Sequence, residues 1–195
     1  MTAPLPSLFL ASRSPRRAEL LRTLGVDFVV VDVAVDETPQ RQEAATAYVR
    51  RLAQAKATAA RAVIGSSRPV LAADTTVVCD DQILGKPLDA ADARRILSLL
   101  AGRWHTVLTG VVLAGEGMDV ICVQTSVLFR ALSRHEIDRY WDSGEPADKA
   151  GAYGIQGLGG AFVTRLDGSY SNVVGLPLAE TLSLLDKAGV VHRLT

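Results

Sequence analysis

The sequence has few of the features that mark disulfide-stabilised or membrane-spanning proteins. Only two of its 195 residues are cysteines, and neither belongs to a Cys-x-x-Cys pair or to a Cys/His cluster with metal-ligand spacing. Cys79 and Cys122 lie in apolar, strand-like segments, so we expect reduced core thiols and neither a disulfide nor a zinc site. The longest apolar runs, such as Val29-Val30-Val31, are as long as strands and too short to span a bilayer. We therefore expect no membrane partner.

The sequence also lacks an excess of either charge. It has 21 basic and 21 acidic residues, with a formal net charge of zero, whereas a protein that follows a nucleic-acid backbone usually carries a basic surplus. We therefore expect no nucleic-acid partner, although a small anionic ligand needs only a local cluster of cations. Residues 1–4 lack the basic and apolar regions of an export signal, which favours a cytoplasmic protein.

The hydrophobic pattern predicts a mixed α/β fold. Hydrophobic residues make up 48% and charged residues 22% of the chain, and we expect a single domain over residues 1–195. Strands are predicted over 8–11, 27–32, 70–79, 106–113, 120–130 and 161–166, and helices over 15–24, 43–63, 90–100, 134–141 and 178–187. Because Gly115-Glu116-Gly117 indicates a hairpin between two of these strands, the sheet cannot be purely parallel.

Residues 10–21 pass from an apolar strand through a turn into a helix. Ser14 is a good N-cap and Pro15 suits the first helical position. Arg16 and Arg17 then place two cations where backbone N–H groups and the helix dipole already favour an anion. The segment predicts a phosphate site, and the alternative is an ordinary helix start with solvated arginines.

Asp74 is the first catalytic candidate. It follows the strand-forming residues 69–71, which predicts a position near the carboxyl end of a strand, where open α/β sheets usually present reactive groups. A carboxylate on an otherwise apolar strand costs several kcal/mol unless it is paired or bound to a metal. The alternative is an aspartate that caps a turn.

Two lysines are candidates for phosphate contacts. Lys56 lies within the apolar stripe of its predicted helix, whose members recur at steps of four and three residues: Ala45, Val49, Leu52, Lys56, Ala59 and Val63. Its ammonium either extends to water or is held inward by a phosphate or a carboxylate, which Asp36 or Glu37 would supply. Those two acids are alternatively metal ligands or ordinary loop residues. Lys86 follows a predicted hairpin at residues 80–82, on a Gly-Lys-Pro loop. It either holds a phosphate as a point charge or is solvated, as most loop lysines are.

Residues 151–160 are rich in glycine but match neither a phosphate loop nor a dinucleotide fingerprint. Such a segment lets backbone approach a ligand closely and suggests the wall of a pocket. Tyr153 would then stack on a ring and Gln156 would hydrogen-bond the edge of a base. The alternative is a surface loop with structural glycines.

Six segments, taken together and in this order, resemble the Maf family of nucleoside triphosphate pyrophosphatases. They are LASRSPRRxELL at 10–21, ADT at 73–75, GKP at 85–87, GxxHxVxT at 102–109, DKAGAYGIQG at 148–157 and NVVGLP at 172–177. The resemblance covers nearly the whole chain. It implies a Maf-like, inosine-triphosphatase-related α/β fold, with an elongated mixed sheet, flanking helices and two lobes around a cleft.

The resemblance also implies a reaction, in which a nucleoside triphosphate and water give the monophosphate and pyrophosphate. Arg16, Thr75 and Gln156 resemble the specificity residues of the branch that acts on dTTP and UTP, as opposed to 7-methyl-GTP. By the same resemblance Asp74 is the proton acceptor, and the phosphate or metal contacts are Ser12, Arg17, Glu37, Lys56 and Lys86.

The sequence also predicts a divalent metal ion as cofactor. A site with few carboxylates suits Mg²⁺ or Mn²⁺, because Mg²⁺ keeps several waters and binds partly through substrate phosphates. We expect Glu37 and Asp74 as its protein ligands, although Asp36 is an alternative to Glu37. The three histidines, His105, His135 and His192, are far apart in sequence and are interpreted as structural. A homodimer is left open. The alternative function is a regulator of cell division or septum formation that binds nucleotide without turnover.

Overall fold

The computed structural model describes residues 7–65 and 67–195. Its strands are β1 (Leu8–Ala11), β2 (Phe28–Val30), β3 (Val70–Cys79), β4 (Gln82–Leu84), β5 (Trp104–Ala114), β6 (Met118–Phe129) and β7 (Val163–Asp167). Its α-helices are α1 (Pro15–Thr23), α2 (Ala45–Ile64), α3 (Ala90–Leu100), α4 (Arg134–Asp142), α5 (Tyr170–Val174) and α6 (Leu178–Lys187). Short 3₁₀ helices cover Glu145–Asp148, Ala150–Ala152 and Leu158–Phe162.

The strands form a mixed sheet in the order β2-β1-β3-β5-β6-β7, with β4 paired to β3. β1 pairs in parallel with β2 and with β3, whereas β3–β4 and β6–β7 are antiparallel. The predicted mixed α/β fold is confirmed. No helix in the described part of the chain is long and apolar enough to cross a membrane. Residues 1–4, on which the cytoplasmic prediction rests, lie outside the described residues.

The chain forms two compact units. The first contains the described residues up to Asp74 together with Thr109–Val123 and Gly175–Thr195, and the second contains Thr75–Leu108 and Gln124–Val174. Three long strands, β3, β5 and β6, each contribute residues to both units. The prediction of one domain over residues 1–195, and of a cleft, stays a prediction.

The first unit has an apolar cluster on each face of its part of the sheet. Residues of β3 alternate between the two clusters, because successive strand side chains point to opposite faces. One cluster contains Leu71 and Ala73 with apolar residues of α1 and α6. The other contains Val70 and Ala72 with the small residues of α2, which are Ala53, Ala57 and Ala60.

The second unit has a core that includes edge-to-face aromatic contacts. The Phe129 ring lies 4.7 Å from the Tyr153 ring and 4.8 Å from the His105 ring, measured between centroids. Tyr153 is buried in this cluster, so the prediction that it stacks on a ligand ring is wrong. Its aromatic surface is used by the core. Cys79 is buried and Cys122 is half-buried, and both are free thiols.

Most predicted elements are confirmed, with differences at their ends. β2 is shorter than the predicted 27–32, because it is an edge strand supported only by β1. β7 starts at Val163 and not at residue 161, since a 3₁₀ helix occupies the preceding residues. Helix α5 and the three 3₁₀ helices were not predicted. These segments are too short for their hydrophobic periodicity to be recognised in the sequence.

Both predicted hairpins are present. Asp80 and Asp81 take left-handed φ angles of 49° and 61° in the two-residue turn between β3 and β4, as a tight hairpin of this length requires. At the tip between β5 and β6, Gly115 N–H donates to the Gly117 carbonyl at 2.9 Å. The second hairpin lies in the first unit and ties β5 to β6 there.

Gly110 on β5 allows α2 to approach the sheet closely. A Cβ atom at this position would lie 2.5 Å from the Val49 carbonyl oxygen and 2.7 Å from the Val49 carbonyl carbon. These are backbone atoms, so they cannot move aside without displacing the helix. Glycine at position 110 therefore sets the height of α2 above β5.

We expect Gly110→Ala to lower the free energy of unfolding by about 1–3 kcal/mol, since overpacking forces backbone shifts. Gly117→Ala is the matched control, because a Cβ atom at Gly117 would have no neighbouring atom within 4 Å. Thermal unfolding of both variants beside wild type measures the difference. Equal melting temperatures for Gly110→Ala and wild type would show that α2 does not depend on this contact.

Candidate active site

Helix α1 begins as the sequence predicts. Ser14 has extended backbone angles, and its Oγ accepts a hydrogen bond from Arg17 N–H at 3.4 Å, with Pro15 in the first turn. Ser12 Oγ accepts from Ser14 N–H at 3.2 Å and from the Arg17 guanidinium at 3.1 Å. Arg16 and Arg17 therefore lie in the first turn of a capped helix, where N–H groups and the dipole favour an anion.

Arg17 is held in one orientation by a residue that sequence reasoning missed. Its Nε donates to the Gly175 carbonyl at 2.7 Å, and Gly175 has a φ of 122°, a backbone angle that favours glycine. Burial lowers the pKa of Arg17, while Asp74 acts in the opposite direction. The guanidinium nevertheless stays charged. Gly175 lies within the NVVGLP segment, although a backbone carbonyl contact leaves no signal of its own in a sequence.

Lys56 points inward and binds two carboxylates. Its Nζ lies 2.6 Å from Asp74 Oδ1 and 2.7 Å from Glu37 Oε1. Only 12% of its side chain is exposed. Of the two alternatives for this lysine, the structure shows the inward one, with carboxylates as its partners. The position of a lysine within an apolar helical stripe was therefore an informative signal.

Asp74 lies in the middle of β3 and not near its carboxyl end, so that prediction is wrong. β1 ends much earlier than β3, and its last residue, Ala11, pairs with Ala72. Asp74 is therefore level with the residues that directly follow β1. It also shares the face of Val70 and Ala72, which pack against α2. The Asp74 carboxylate therefore lies beyond the end of the shorter neighbouring strand β1.

Asp74 is 7% exposed. Burial raises its pKa above the ordinary value, and the charges of Lys56 and Arg17 offset only part of that effect. A carboxylate whose pKa is raised in this way is a stronger proton acceptor once it is ionised. The two cations beside it keep a buried charge from being unpaired.

The loop at residues 36–38 is held by side chains from α2. Tyr48 donates its hydroxyl to the Glu37 carbonyl at 2.9 Å, and Arg51 donates to the Thr38 carbonyl at 3.1 Å. Asp36 is used locally, where its carboxylate accepts from Thr38 N–H at 2.9 Å. Glu37, and not Asp36, is therefore the acid that meets Lys56. Tyr48 was missed, although it lies two steps of four residues before Lys56 on the same helical face.

Three predicted site residues belong to the second unit. Thr75 directly follows Asp74 on β3. Lys86 is exposed, and the loop that carries it is fixed where Gly151 N–H donates to the Gly85 carbonyl at 3.0 Å. Gln156 is also exposed, in the glycine-rich segment. The residues that the structure brings together in the first unit are Ser12, Arg16, Arg17, Glu37, Lys56 and Asp74.

Two of the histidines have structural partners. His105 Nε2 lies 2.9 Å from the Tyr153 hydroxyl, and burial lowers the pKa of His105 to about 4, so the ring is neutral near pH 7. His192 Nε2 lies 2.7 Å from Asp186 Oδ1. His135 is exposed on α4. These contacts agree with the structural interpretation of His105 and His192.

The donor set suits a metal that takes few protein ligands. Residues 7–65 and 67–195 contain no group of three or more His, Cys, Asp or Glu side chains able to hold an ion. Glu37 and Asp74 nevertheless place carboxylate oxygens against one ammonium. Two carboxylates complemented by waters and phosphate oxygens are the usual surroundings of Mg²⁺ in nucleotide sites.

Comparison with known proteins gives consistent matches over most of the chain. A family model described as Maf-like protein matches residues 7–188. A dTTP/UTP pyrophosphatase of Hahella chejuensis is 55% identical over 186 residues, covering 94% of this chain and 92% of that protein. A dTTP/UTP pyrophosphatase of Myxococcus xanthus is 53% identical, covering 97% and 96%. The solved structure of the Staphylococcus aureus Ham1 protein matches with a TM-score of 0.46 and 15% identity, covering 63% of this chain and 71% of that one.

We expect Lys56→Met to lower the free energy of unfolding by about 3 kcal/mol, because it leaves Asp74 as a buried charge without its ammonium. Lys187→Met is the matched control, since the Lys187–Asp119 pair is exposed and such pairs contribute little. Urea denaturation measures both. The double variant Lys56→Met/Asp74→Asn should recover much of the loss. A double variant as unstable as Lys56→Met alone would contradict the ion-pair explanation.

Proposed function

The chain belongs to the Maf-like protein family, and from this premise we propose that it is a nucleoside triphosphate pyrophosphatase that hydrolyses dTTP and UTP. The relatives that support this substrate choice are named dTTP/UTP pyrophosphatases and cover nearly the whole chain. The single observation that carries the proposal is the buried Asp74 carboxylate, paired with Lys56 beside the capped, arginine-bearing start of α1. A protein that only binds nucleotide gains little from such a carboxylate.

The proposed reaction is attack of water on the α-phosphorus, which releases pyrophosphate. It needs a group that accepts the proton of water, and cations that offset the charge on the leaving group. Asp74 accepts the proton. Arg16, Arg17 and Lys56 contribute the cationic surroundings from the first unit, with Ser12 orienting Arg17. Lys86 is the phosphate contact proposed from the second unit.

The residues proposed as phosphate contacts and proton acceptor already have internal partners in the structure. Arg17 is fixed by Ser12 and Gly175, and Lys56 is fixed by two carboxylates. Side chains that are already oriented lose little entropy on binding, so their charge acts fully in the transition state. We infer that the phosphates of a bound nucleotide replace some of these internal partners of Arg17 and Lys56.

We further propose that Mg²⁺ or Mn²⁺ binds through Glu37 and Asp74, together with phosphate oxygens of the substrate. Such an ion would act as a Lewis acid that offsets negative charge on the substrate phosphates. Glu37 is suited to this role because its side chain is 45% exposed while its backbone is anchored by Tyr48. The Glu37 carboxylate could therefore leave the ammonium of Lys56 and bind a metal ion instead.

EDTA should therefore abolish turnover, and excess Mg²⁺ or Mn²⁺ should restore it. The side-chain ammonium and guanidinium groups of the site would not supply the Lewis-acid chemistry of a divalent ion. Rates measured with and without chelator provide the test. Undiminished turnover in EDTA would overturn the metal proposal and leave the pyrophosphatase proposal standing.

The proposed base specificity depends on Arg16, Thr75 and Gln156. The Gln156 amide offers a hydrogen-bond donor and an acceptor side by side, which match the O4 acceptor and N3–H donor of uracil and thymine. Cytosine presents the reversed pair. Discrimination against CTP then requires that the amide of Gln156 be held in one orientation, because a freely rotating amide satisfies either base.

The product of UTP hydrolysis tests the proposed function directly. We expect UMP and pyrophosphate from UTP, and the corresponding products from dTTP, when purified protein is incubated with nucleotide and Mg²⁺. Anion-exchange chromatography separates pyrophosphate from orthophosphate. UDP with orthophosphate, or the absence of any product across a panel of nucleotides, would overturn the proposal.

Asp74→Asn should lower kcat by about 10²-fold or more, the usual scale for removal of a general base, while the fold and nucleotide binding are kept because Glu37 still pairs with Lys56. Asp119→Asn is the control, because that carboxylate forms an exposed ion pair with Lys187. Steady-state rates for UTP and a binding titration separate the two effects. If Asp74→Asn kept a third of the wild-type kcat, Asp74 would not be the proton acceptor.

A further inference from the structure

The backbone N–H groups of the glycine-rich segment bind a carboxylate of the chain itself. Glu145 Oε2 accepts from Leu158 N–H at 2.8 Å, and Glu145 Oε1 accepts from Gly159 N–H at 3.0 Å. The Tyr140 hydroxyl also donates to Glu145 Oε1, at 2.7 Å. All of these residues belong to the second unit. The Leu158 and Gly159 N–H groups are thus bound by Glu145.

Two glycines of this segment, Gly157 and Gly159, are explained by contacts with Glu145 and Tyr140. A Cβ atom at Gly157 would lie 2.2 Å from Glu145 Oε2, and one at Gly159 would lie 2.5 Å from the Tyr140 hydroxyl oxygen. Any larger residue at either position would push the loop off its support. Glycine at positions 157 and 159 therefore allows the backbone to lie close to Glu145 and Tyr140.

Both ends of the loop are fixed, and Gln156 lies between them. At one end the Tyr140 hydroxyl accepts from Gly154 N–H at 3.0 Å, and at the other Glu145 binds Leu158 and Gly159. Tyr140 is itself buried, with its ring 4.9 Å from the ring of Phe162. Gln156 is exposed between these two supports.

Glu145 binds the loop in its ionised form. Burial acts to raise its pKa, but the N–H groups of Gly159 and Leu158 and the Tyr140 hydroxyl outweigh burial, so the pKa of Glu145 lies below the ordinary value. A carboxylate accepts at both oxygens, which a neutral amide cannot do. Its backbone is held too, because Lys149 Nζ donates to the Glu145 carbonyl at 2.7 Å.

We propose that Glu145, with Tyr140, is the positioning residue for base selection: by fixing residues 154–160 it holds the Gln156 amide in the orientation that accepts uracil or thymine and rejects cytosine. This inference rests on the proposed function. Glu145 touches no substrate and acts through the loop. On a mobile loop the Gln156 amide would rotate and satisfy either base. The preference for uracil or thymine therefore depends on the anchoring of the loop by Glu145 and Tyr140.

The test compares kcat/KM for UTP and CTP in wild type, Glu145→Gln and Tyr140→Phe. Glu145→Gln keeps the shape of the side chain but replaces one acceptor oxygen with an amide nitrogen, which faces a backbone N–H. We expect it to reduce the UTP/CTP ratio about tenfold, mainly by lowering kcat/KM for UTP, with turnover kept. Tyr140→Phe removes the hydroxyl but keeps the buried ring, so it gives a second, independent variant with the same expected direction.

Glu136→Gln is the matched control. Glu136 also accepts from a backbone N–H, that of Ser133 at 2.8 Å, but it caps α4 and not the loop. It should lower stability and leave the UTP/CTP ratio at the wild-type value. Hydrogen exchange supplies a readout that needs no turnover: residues 154–160 should exchange faster in Glu145→Gln than in Glu136→Gln.

Gln156→Ala links the loop to the base. It should remove the UTP/CTP preference by itself, and the double variant Glu145→Gln/Gln156→Ala should show no further loss of preference. An active Glu145→Gln enzyme with a wild-type UTP/CTP ratio, or unchanged exchange at residues 154–160, would overturn the inference alone. Equal turnover of UTP and CTP by wild type would overturn both the inference and the proposed base specificity, and would leave the pyrophosphatase proposal standing. Failure of wild type to release pyrophosphate from UTP would instead overturn the proposed function.

Discussion

The contact on which the first unit depends is the ion pair between Lys56 and Asp74. Both side chains are largely buried, so each charge needs an opposite charge beside it, and the two charged groups lie 2.6 Å apart. The pair joins a helix to the strand beneath it and fixes how α2 must lie. Gly110 and the alanines of α2 allow that approach, because any larger residue at the contact would lift the helix. The small residues between α2 and the sheet thus allow Lys56 to come close enough to pair with Asp74.

Further contacts follow from the position of α2. Tyr48, Arg51 and Lys56 project from it to hold the loop at residues 36–38, which brings Glu37 to the same ammonium as Asp74. On the other side, α1 presents Arg17 with its guanidinium fixed by Ser12 and the Gly175 carbonyl. The charges of the site are thus arranged by backbone and helix contacts, which cost little entropy to maintain once the fold has formed.

The glycine-rich segment follows a different logic. Gly157 and Gly159 allow the backbone to approach Glu145 and Tyr140 closely, and Gln156 is exposed between the two supports. The second unit thus positions one polar side chain by binding a half-buried carboxylate to the loop that carries it. Tyr153, in the same segment, packs into the core and stabilises the unit from within.

Local sequence determined the capped start of α1, both tight hairpins and nearly all of the long elements, because caps, turns and hydrophobic periodicity involve residues close together in the chain. It also marked Lys56, Asp74 and Gln156, since a charge in an apolar stripe or a polar residue among glycines departs from its surroundings. Tertiary structure alone decided that Glu37 and not Asp36 meets Lys56, that Gly175 holds Arg17 and that Glu145 supports the loop of Gln156. Those contacts join residues up to 158 positions apart, and two of them use backbone carbonyl or N–H groups, which every residue carries and no sequence pattern distinguishes.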